Sequence, residues 1–326
     1  MILSGDAGAT KTELALYEKK HNELKLITSE KFPSSEFSSP EEMIRMFLAG
    51  RNEVIDSACM GIPGPVDNGK VKSTNLPWEL DEKELSGKLN IPLFKLANDL
   101  ECLATAVNFF SEDDLIKISS DKPKVSDMQN KVIIAPGTGL GQAALIFTGS
   151  GYKVVATEGG HTDFAPSDET EADLLKYLRK KFGHVSYERI ASGSGILNIF
   201  EFLKSERKYT VSIELNHKLQ AGDPAAVISE EGISGRSGIC EKTMDIFISV
   251  LGAQAGNMVL NYKATGGVYL GGGIPFKIID KLKDGKFMIA FLNKGRLSYL
   301  PESAPVYVIK NESAGTYGAA VIASAL

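Results

Sequence analysis

Apolar and polar residues alternate at period two in three early runs, at residues 2–4, 12–18 (Leu14 and Leu16 two apart) and 23–32, which predicts an antiparallel meander of three strands. The period then lengthens. Met43, Met46 and Phe47 mark a helix over 40–49, residues 56–62 return to a strand, and Asp67-Asn68-Gly69 supplies hairpin-turn chemistry. Residues 80–89 read as a helix, 92–97 as a buried strand, and 100–110 as a helix that packs Leu103, Ala106, Val107 and Phe110. Strands first and then helix–strand alternation describe a growing α/β sheet.

Residues 111–130 are rich in Asp, Ser and Lys, the composition of an exposed connection, and the first lobe is expected to end there. The opening pattern then recurs: an apolar run at 132–135, a glycine-rich turn and a second run at 142–147 match 2–5, the 6–11 turn and 12–17. This weak internal repeat predicts a duplicated architecture whose two turns face one another across a cleft. From residue 167 the pattern is helical to about Tyr262, with Asp168 and Glu171 offering a capping box. A short strand at 268–270 ends in Gly271-Gly272-Gly273-Ile274-Pro275, and a late strand at 305–310 precedes an Ala-rich helix. That late strand is expected in the first lobe's sheet or near the hinge. The predicted division is a smaller lobe of residues 1–110 joined by 306–326, and a larger lobe of 111–305.

Composition narrows the function classes. With 326 residues, 43% apolar and 24% charged, the chain has material for two packed lobes. A net charge of −5 without a basic tract argues against a nucleic-acid or anionic-membrane binder. Cys59, Cys102 and Cys240 stand far apart in sequence, so neither a disulfide framework nor a zinc knuckle is suggested, and a reducing cytoplasm fits. The first residues lack the positive charges of a secretory signal, and the apolar stretches at 132–147 and 246–260 are interrupted, so no membrane span is expected.

Several turns carry candidate chemistry. In Asp6-Ala7-Gly8-Ala9-Thr10, between two strands, Gly8 allows backbone amides near a phosphate, Thr10 adds a hydroxyl, and Asp6 is placed to hold hydrated magnesium; a plain tight hairpin is the competing reading. Gly137-Thr138-Gly139-Leu140-Gly141, after another strand, repeats that chemistry and lacks the spacing of a dinucleotide fingerprint. The stretch 64–71 nearly matches a P-loop, but Val71 stands where a hydroxyl would bind magnesium, so it reads as a hairpin turn. Asn98-Asp99 follows a strand and opens a helix, at the strand's carboxyl end where ligands sit; Asp99 is a candidate general base, and the pair equally suits a helix cap. Glu158, His161 and Glu188 suit a polyhydroxylated ligand, because sugar hydroxyls donate well to carboxylates; a loop histidine and a surface helix carboxylate are the bland alternatives. Gly271, Gly272 and Gly273 offer a flat backbone on which adenine or ribose can lie, or simply turn strand into helix.

Taken in order, these residues resemble the bacterial glucokinases of the hexokinase/actin-like ATPase superfamily. The likeness runs through Gly5-Asp6-x-Gly8-x-Thr10, Thr74-Asn75-Leu76-Pro77-Trp78, Asn98-Asp99, the turn that starts at Pro136-Gly137, Thr157-Glu158-Gly159-Gly160-His161, Phe182-Gly183-His184-Val185-Ser186-x-Glu188-Arg189 and the segment 266–274. The resemblance implies a two-lobed actin-like ATPase (ribonuclease H-like) α/β fold with an interlobe cleft that closes to exclude water. It further implies ATP-dependent phosphorylation of glucose at the 6-hydroxyl, with Asp99 taking the proton and Asn98, Glu158, His161, Glu188 and Asn75 around the sugar. Asp6 would hold Mg2+ through water, the turns at Gly8 and Thr10 and at Gly137, Thr138 and Gly139 would cradle phosphates, and Gly271, Gly272 and Gly273 would back the nucleoside. A cytoplasmic homodimer is implied by the same likeness. Ala9 stands where the family often has Gly and Lys11 where it usually has Asn, and the Cys/His zinc cluster of the repressor-and-kinase relatives is absent. Two other readings share this fold: a sugar-sensing regulator without catalysis, and a kinase with a different hexose or phosphoryl donor.

Overall fold

In the computed structural model, which describes every residue except Ala9, Asn22, Asn52, Thr74, Asn75 and 120–127, the opening alternation becomes β1 (Ile2–Ala7), β2 (Lys11–Lys20) and β3 (Glu23–Pro33). Both pairings are antiparallel, with Leu3 opposite Leu16 and Asp6 opposite Glu13. After α1 (Pro40–Leu48), β4 (Ser57–Ile62) adds in parallel to β1. Three very short strands, β5 (Val66–Asp67), β6 (Lys70–Lys72) and β7 (Glu79–Asp81), form a small antiparallel sheet. Its first turn holds Asn68 and Gly69 at φ of 50° and 74°, the left-handed pair that the Asp-Asn-Gly signal demands. Then α2 (Glu82–Leu89) starts two residues later than expected because Leu80 belongs to β7, and β8 (Leu93–Asn98) closes the five-stranded order β3-β2-β1-β4-β8. The helix expected over 100–110 is α3 (Asp99–Ala106) followed by a single 3-10 turn.

The second sheet repeats the plan. After β9 (Leu115–Lys117), the strands β10 (Lys131–Pro136), β11 (Leu140–Phe147) and β12 (Tyr152–Thr157) form an antiparallel meander in which Ile134 faces Gln142 and Gln142 faces Thr157. A helical stretch follows: α4 (Glu169–Phe182), α5 (Gly193–Ser205), α6 (Ile213–Ala221), α7 (Pro224–Ile233) and α8 (Gly238–Tyr262). At the start of α4, Asp168 caps the Glu171 amide, while the Glu171 carboxylate reaches back to Ser167. Long and apolar enough to cross a bilayer, α8 is buried over most of its length among helices such as α5 and α7, so its apolar character is that of a core helix. The chain continues through β13 (Gly267–Leu270), α9 (Ile279–Leu282), α10 (Lys286–Leu292), α11 (Tyr299–Ser303) and β14 (Val306–Ile309), giving the order β12-β11-β10-β13-β14-β9.

The late strand corrects an expectation. β14 pairs in parallel with β13 and antiparallel with β9, so it belongs to the second sheet and not the first. Only Asn311–Leu326 joins Met1–Ser111 in one unit, the other unit being Glu112–Lys310. The reason is that Val306 and Val308, both fully buried, fill the second core. The strand β9 lies inside the stretch expected to be a bare connection.

The final helix, α12 (Ala314–Ser324), completes the first unit. Its Ala319, Ala320 and Ala323 pack on Ile2, Ala15, Cys59 and Cys102, and a Cβ at Gly318 would run into the Cys102 carbonyl oxygen of α3. Small residues here let two helices and a sheet approach closely.

Candidate active site

In the first unit, three acidic side chains converge at the ends of β1, β2 and α3. Asp6 and Glu13 are cross-strand partners on one face of the hairpin, an arrangement that repels when both are ionised. Glu13, 8% exposed, is held by the hydroxyls of Ser313 and Thr316, at 2.9 and 3.2 Å. No hydrogen-bond donor among the described residues is in reach of the Asp6 carboxylate, which lies against Gly315 of α12, where a Cβ would collide with it. Burial, then the charges of Asp99 and Glu13, push the Asp6 pKa up to about 7. A carboxylate so placed fits a hydrated magnesium ion, which asks for one or two carboxylates and keeps most of its water. The donor set gives no closed protein cage: among the described residues no three acidic, His or Cys side chains are grouped as metal ligands.

Asp99 occupies the first turn of α3, and its Oδ1 accepts from the Leu100 amide at 2.9 Å. Asn98 is the N-cap: its Oδ1 accepts from the amides of Leu100 and Glu101, and its Nδ2 donates to the Gly64 carbonyl at 3.0 Å. Capping fixes the start of α3 and thereby the Asp99 backbone, so the cap reading of Asn98 holds in the fold. Gly61 of β4 makes room, its missing Cβ lying 3.4 Å from the Asp99 Cα. Between β1 and β2, the Gly8 amide donates to the Lys11 carbonyl, which closes the turn on itself. Ser34, fully buried, braces it: its hydroxyl donates to the Gly8 carbonyl at 2.7 Å and meets the Thr12 hydroxyl at 2.9 Å, while its amide donates to Thr10. Thr10 and Lys11 are exposed. Ala9 and Asn75 lie outside the described residues.

In the second unit, the corresponding turn between β10 and β11 organises everything around it. Gly137 donates to the Gly139 carbonyl and accepts from the Gly193 amide at the start of α5, so its own amide is committed within the turn. The positive end of α5 docks on the same turn. Glu188 reaches it from the other side: its Oε2 accepts from the Leu140 amide at 3.0 Å and would lie 2.5 Å from a Cβ on Gly139. Its Oε1 stands 3.9 Å from His161 Nδ1, and His161 Nε2 stands 4.0 Å from Glu158 Oε2. The three polyol candidates are therefore neighbours, with Glu158 and His161 exposed and Glu188 partly covered. Gly160 presses so closely on the Leu140 carbonyl that a Cβ would clash. Gly272, at φ +79°, lies with its Cβ position 2.7 Å from the Pro136 carbonyl oxygen, and Gly271 donates to Ile134. The two glycine turns of this unit are thus side by side.

Sequence reading did not find Glu13, Ser34 or Gly315. A Glu within an otherwise apolar strand, opposite Asp6, was the one available signal.

The Glucokinase family model matches residues 3–326. The glucokinase of Trichormus variabilis is 37% identical over 342 residues, covering 100% of this chain and 99% of that one, and that of Campylobacter jejuni is 36% identical over 321 residues, covering 98% and 92%. Among solved structures, a glucokinase from an Antarctic psychrotroph superimposes with a TM-score of 0.85 at 29% identity, over 100% of this chain and 99% of the other. Balamuthia mandrillaris glucokinase in complex with glucose gives 0.81 at 22% identity over 99% and 93%, a likeness of fold. A ROK family glucokinase from Streptomyces griseus in complex with glucose and AMPPNP gives 0.67 at 17% over 100% and 99%, again a likeness of fold. The expected actin-like ATPase fold therefore stands, and the chain belongs to the glucokinase family, enzymes that phosphorylate a sugar.

Proposed function

We propose that this chain transfers the γ-phosphoryl group of ATP to the 6-hydroxyl of glucose, with Asp99 as general base. The observation that carries the reading is Asp99 itself, an acidic side chain fixed at the N-terminus of α3 with Asp6 close enough to feel its charge. Asp99 takes the 6-hydroxyl proton, the oxygen attacks the γ-phosphorus, and the bond to the bridging oxygen breaks to leave ADP. Glu158, His161 and Glu188 accept and donate to the remaining hydroxyls, joined by Asn98 and, from outside the described residues, Asn75. Magnesium, held through water by Asp6, would draw charge from the phosphate oxygens. The amides of Thr138 and Gly139 and the Thr10 hydroxyl face phosphate, and Gly271, Gly272 and Gly273 lie along the nucleoside. That one fold neighbour holds glucose and another glucose with AMPPNP supports both substrates. A cytoplasmic homodimer belongs to the same reading, and light scattering of the purified chain measures its mass.

Asp99→Asn tests the assignment. Turnover is expected to fall by about 10²-fold or more, while glucose still binds in calorimetry within a few-fold of wild type. Turnover that survives the change removes Asp99 from the mechanism.

A further inference from the structure

Beneath Glu158, His161 and Glu188 runs a chain of side chains that the reaction does not use. Gln142 of β11 and Gln254 of α8 are 3% and 4% exposed, and Asn257, one turn on from Gln254, is partly buried. Gln254 Nε2 donates to Gln142 Oε1 at 3.3 Å, and Asn257 Nδ2 donates to Gln254 Oε1 and to the Tyr187 hydroxyl, both at 3.0 Å. Each end of this chain meets a loop of the polyol cluster. At one end Gln142 Oε1 lies against Gly159, where a Cβ would come within 2.5 Å, and the Gly159 amide bonds the Thr157 hydroxyl, which in turn donates to the Gln142 carbonyl. At the other end Tyr187 immediately precedes Glu188. The backbone closes the circuit, because the Tyr187 amide donates to Thr162 and the Thr162 amide to Gly159.

The result is a ring from Gly159 through Gln142, Gln254, Asn257, Tyr187 and Thr162 back to Gly159. It contains an anomaly: Gln142 Nε2 is buried without an acceptor among the described residues. A buried amide left short of a partner costs stability, and apolar residues of similar volume would fill the space more cheaply. Packing alone therefore does not account for it. What the ring does is fix the separation of the loop bearing Glu158 and His161 from the turn bearing Glu188. Glu188 in addition grips Leu140 at the end of the 137–139 turn.

We infer that Gln142, Gln254, Asn257 and Tyr187 are positioning residues that set the spacing of Glu158, His161 and Glu188 for a hexose; this rests on the reading that those three hold the sugar. Polar recognition of several hydroxyls at once demands such rigidity, since each acceptor must meet a fixed donor. Tyr187→Phe removes the one oxygen that meets Asn257, and with it a bond to the Ala165 backbone, while keeping the aromatic ring that packs edge-on against Phe164 at 5.6 Å between centroids. Asn257→Leu opens it from α8.

The test measures glucose Kd by calorimetry, the KM values for glucose and ATP, and Tm, on wild type, both single variants and the double. Expected is a rise of about tenfold in glucose Kd and KM for each single variant, with ATP KM near wild type and Tm lowered by a few degrees, because each change leaves a buried group short of a partner. The double variant is expected to lose little more than either single one, because a ring is opened once. Unchanged glucose Kd in Tyr187→Phe overturns the inference, and so does an ATP KM that rises as much as that of glucose, the signature of general loosening. If wild type itself fails to bind glucose, the sugar assignment falls first; if it binds and the variants match it, only the positioning role falls.

Discussion

Asp6 is the residue whose chemistry changes most with pH. Its ionised form is disfavoured by burial and by Asp99 and Glu13, so its pKa rises from 3.8 to about 7. A raised carboxyl binds its proton more tightly in the folded than in the unfolded chain, so the stability it contributes is full below 3.8 and lost as pH rises through 7. Without nucleotide or metal, Asp6→Asn is therefore expected to melt above wild type at pH 8 and to lose most of that advantage at pH 5, as scanning calorimetry would record. An advantage equal at both values would mean that charge is not the cause. At this scale the sequence was readable one residue at a time: Asp6, Asp99, Glu158, His161 and Glu188 were all singled out by type and turn context. Their grouping around one ligand came from residue chemistry and the resemblance, not from spacing, because Glu188 reaches Leu140 across 48 positions and nothing local encodes that approach. Glu13 escaped because the period-two reading puts it on the polar face opposite Leu14 and Leu16, whereas β2 is buried on both faces.

Among the elements, the glycine turns and the helix starts carry the precision. Gly272→Ala would place a methyl group 2.7 Å from the Pro136 carbonyl oxygen, at a positive φ that alanine disfavours. The expected result is a several-fold rise in ATP KM with a much smaller change for glucose. Asp245 of α8 shows a different economy, lying 2.7 Å from Lys281 of α9 and 2.9 Å from Lys286 of α10. Burial raises its pKa, but the two ammonium groups outweigh that and hold it below 3.8. Its contribution is present above 3.8 and lost as pH falls through the lower folded value. Asp245→Asn is expected to cost about 1 kcal/mol at pH 7 in urea unfolding, and the gap should close in acid. Long strands and helices were legible through their periods. β5, β6, β7 and β9 were not, since two or three residues carry no period at all.

For the molecule as a whole, duplication is the organising fact: the meander followed by parallel addition appears twice, as β3-β2-β1-β4 and β12-β11-β10-β13. The sequence disclosed it through the paired strand–turn–strand runs. Strand β14 was misplaced because an apolar run announces a strand without naming its partner. The first unit draws Asn311–Leu326 from the far end of the chain, and α12 supplies the Ser313 and Thr316 bonds to Glu13. Truncation after Lys310 is expected to abolish hydrogen-exchange protection in β1, β2 and β4 while β10, β11 and β13 keep theirs. Equal protection in both sheets would show that α12 is dispensable.

This division gives synthesis on the ribosome a direction. The nascent chain delivers Met1–Ser111 first, yet that unit must wait for Asn311–Leu326, by which time the whole of Glu112–Lys310 has already been made. The later-coded unit is thus free to mature before the earlier one, and the carboxylates of β1 and β2 acquire their surroundings only once the segment after Lys310 has been made.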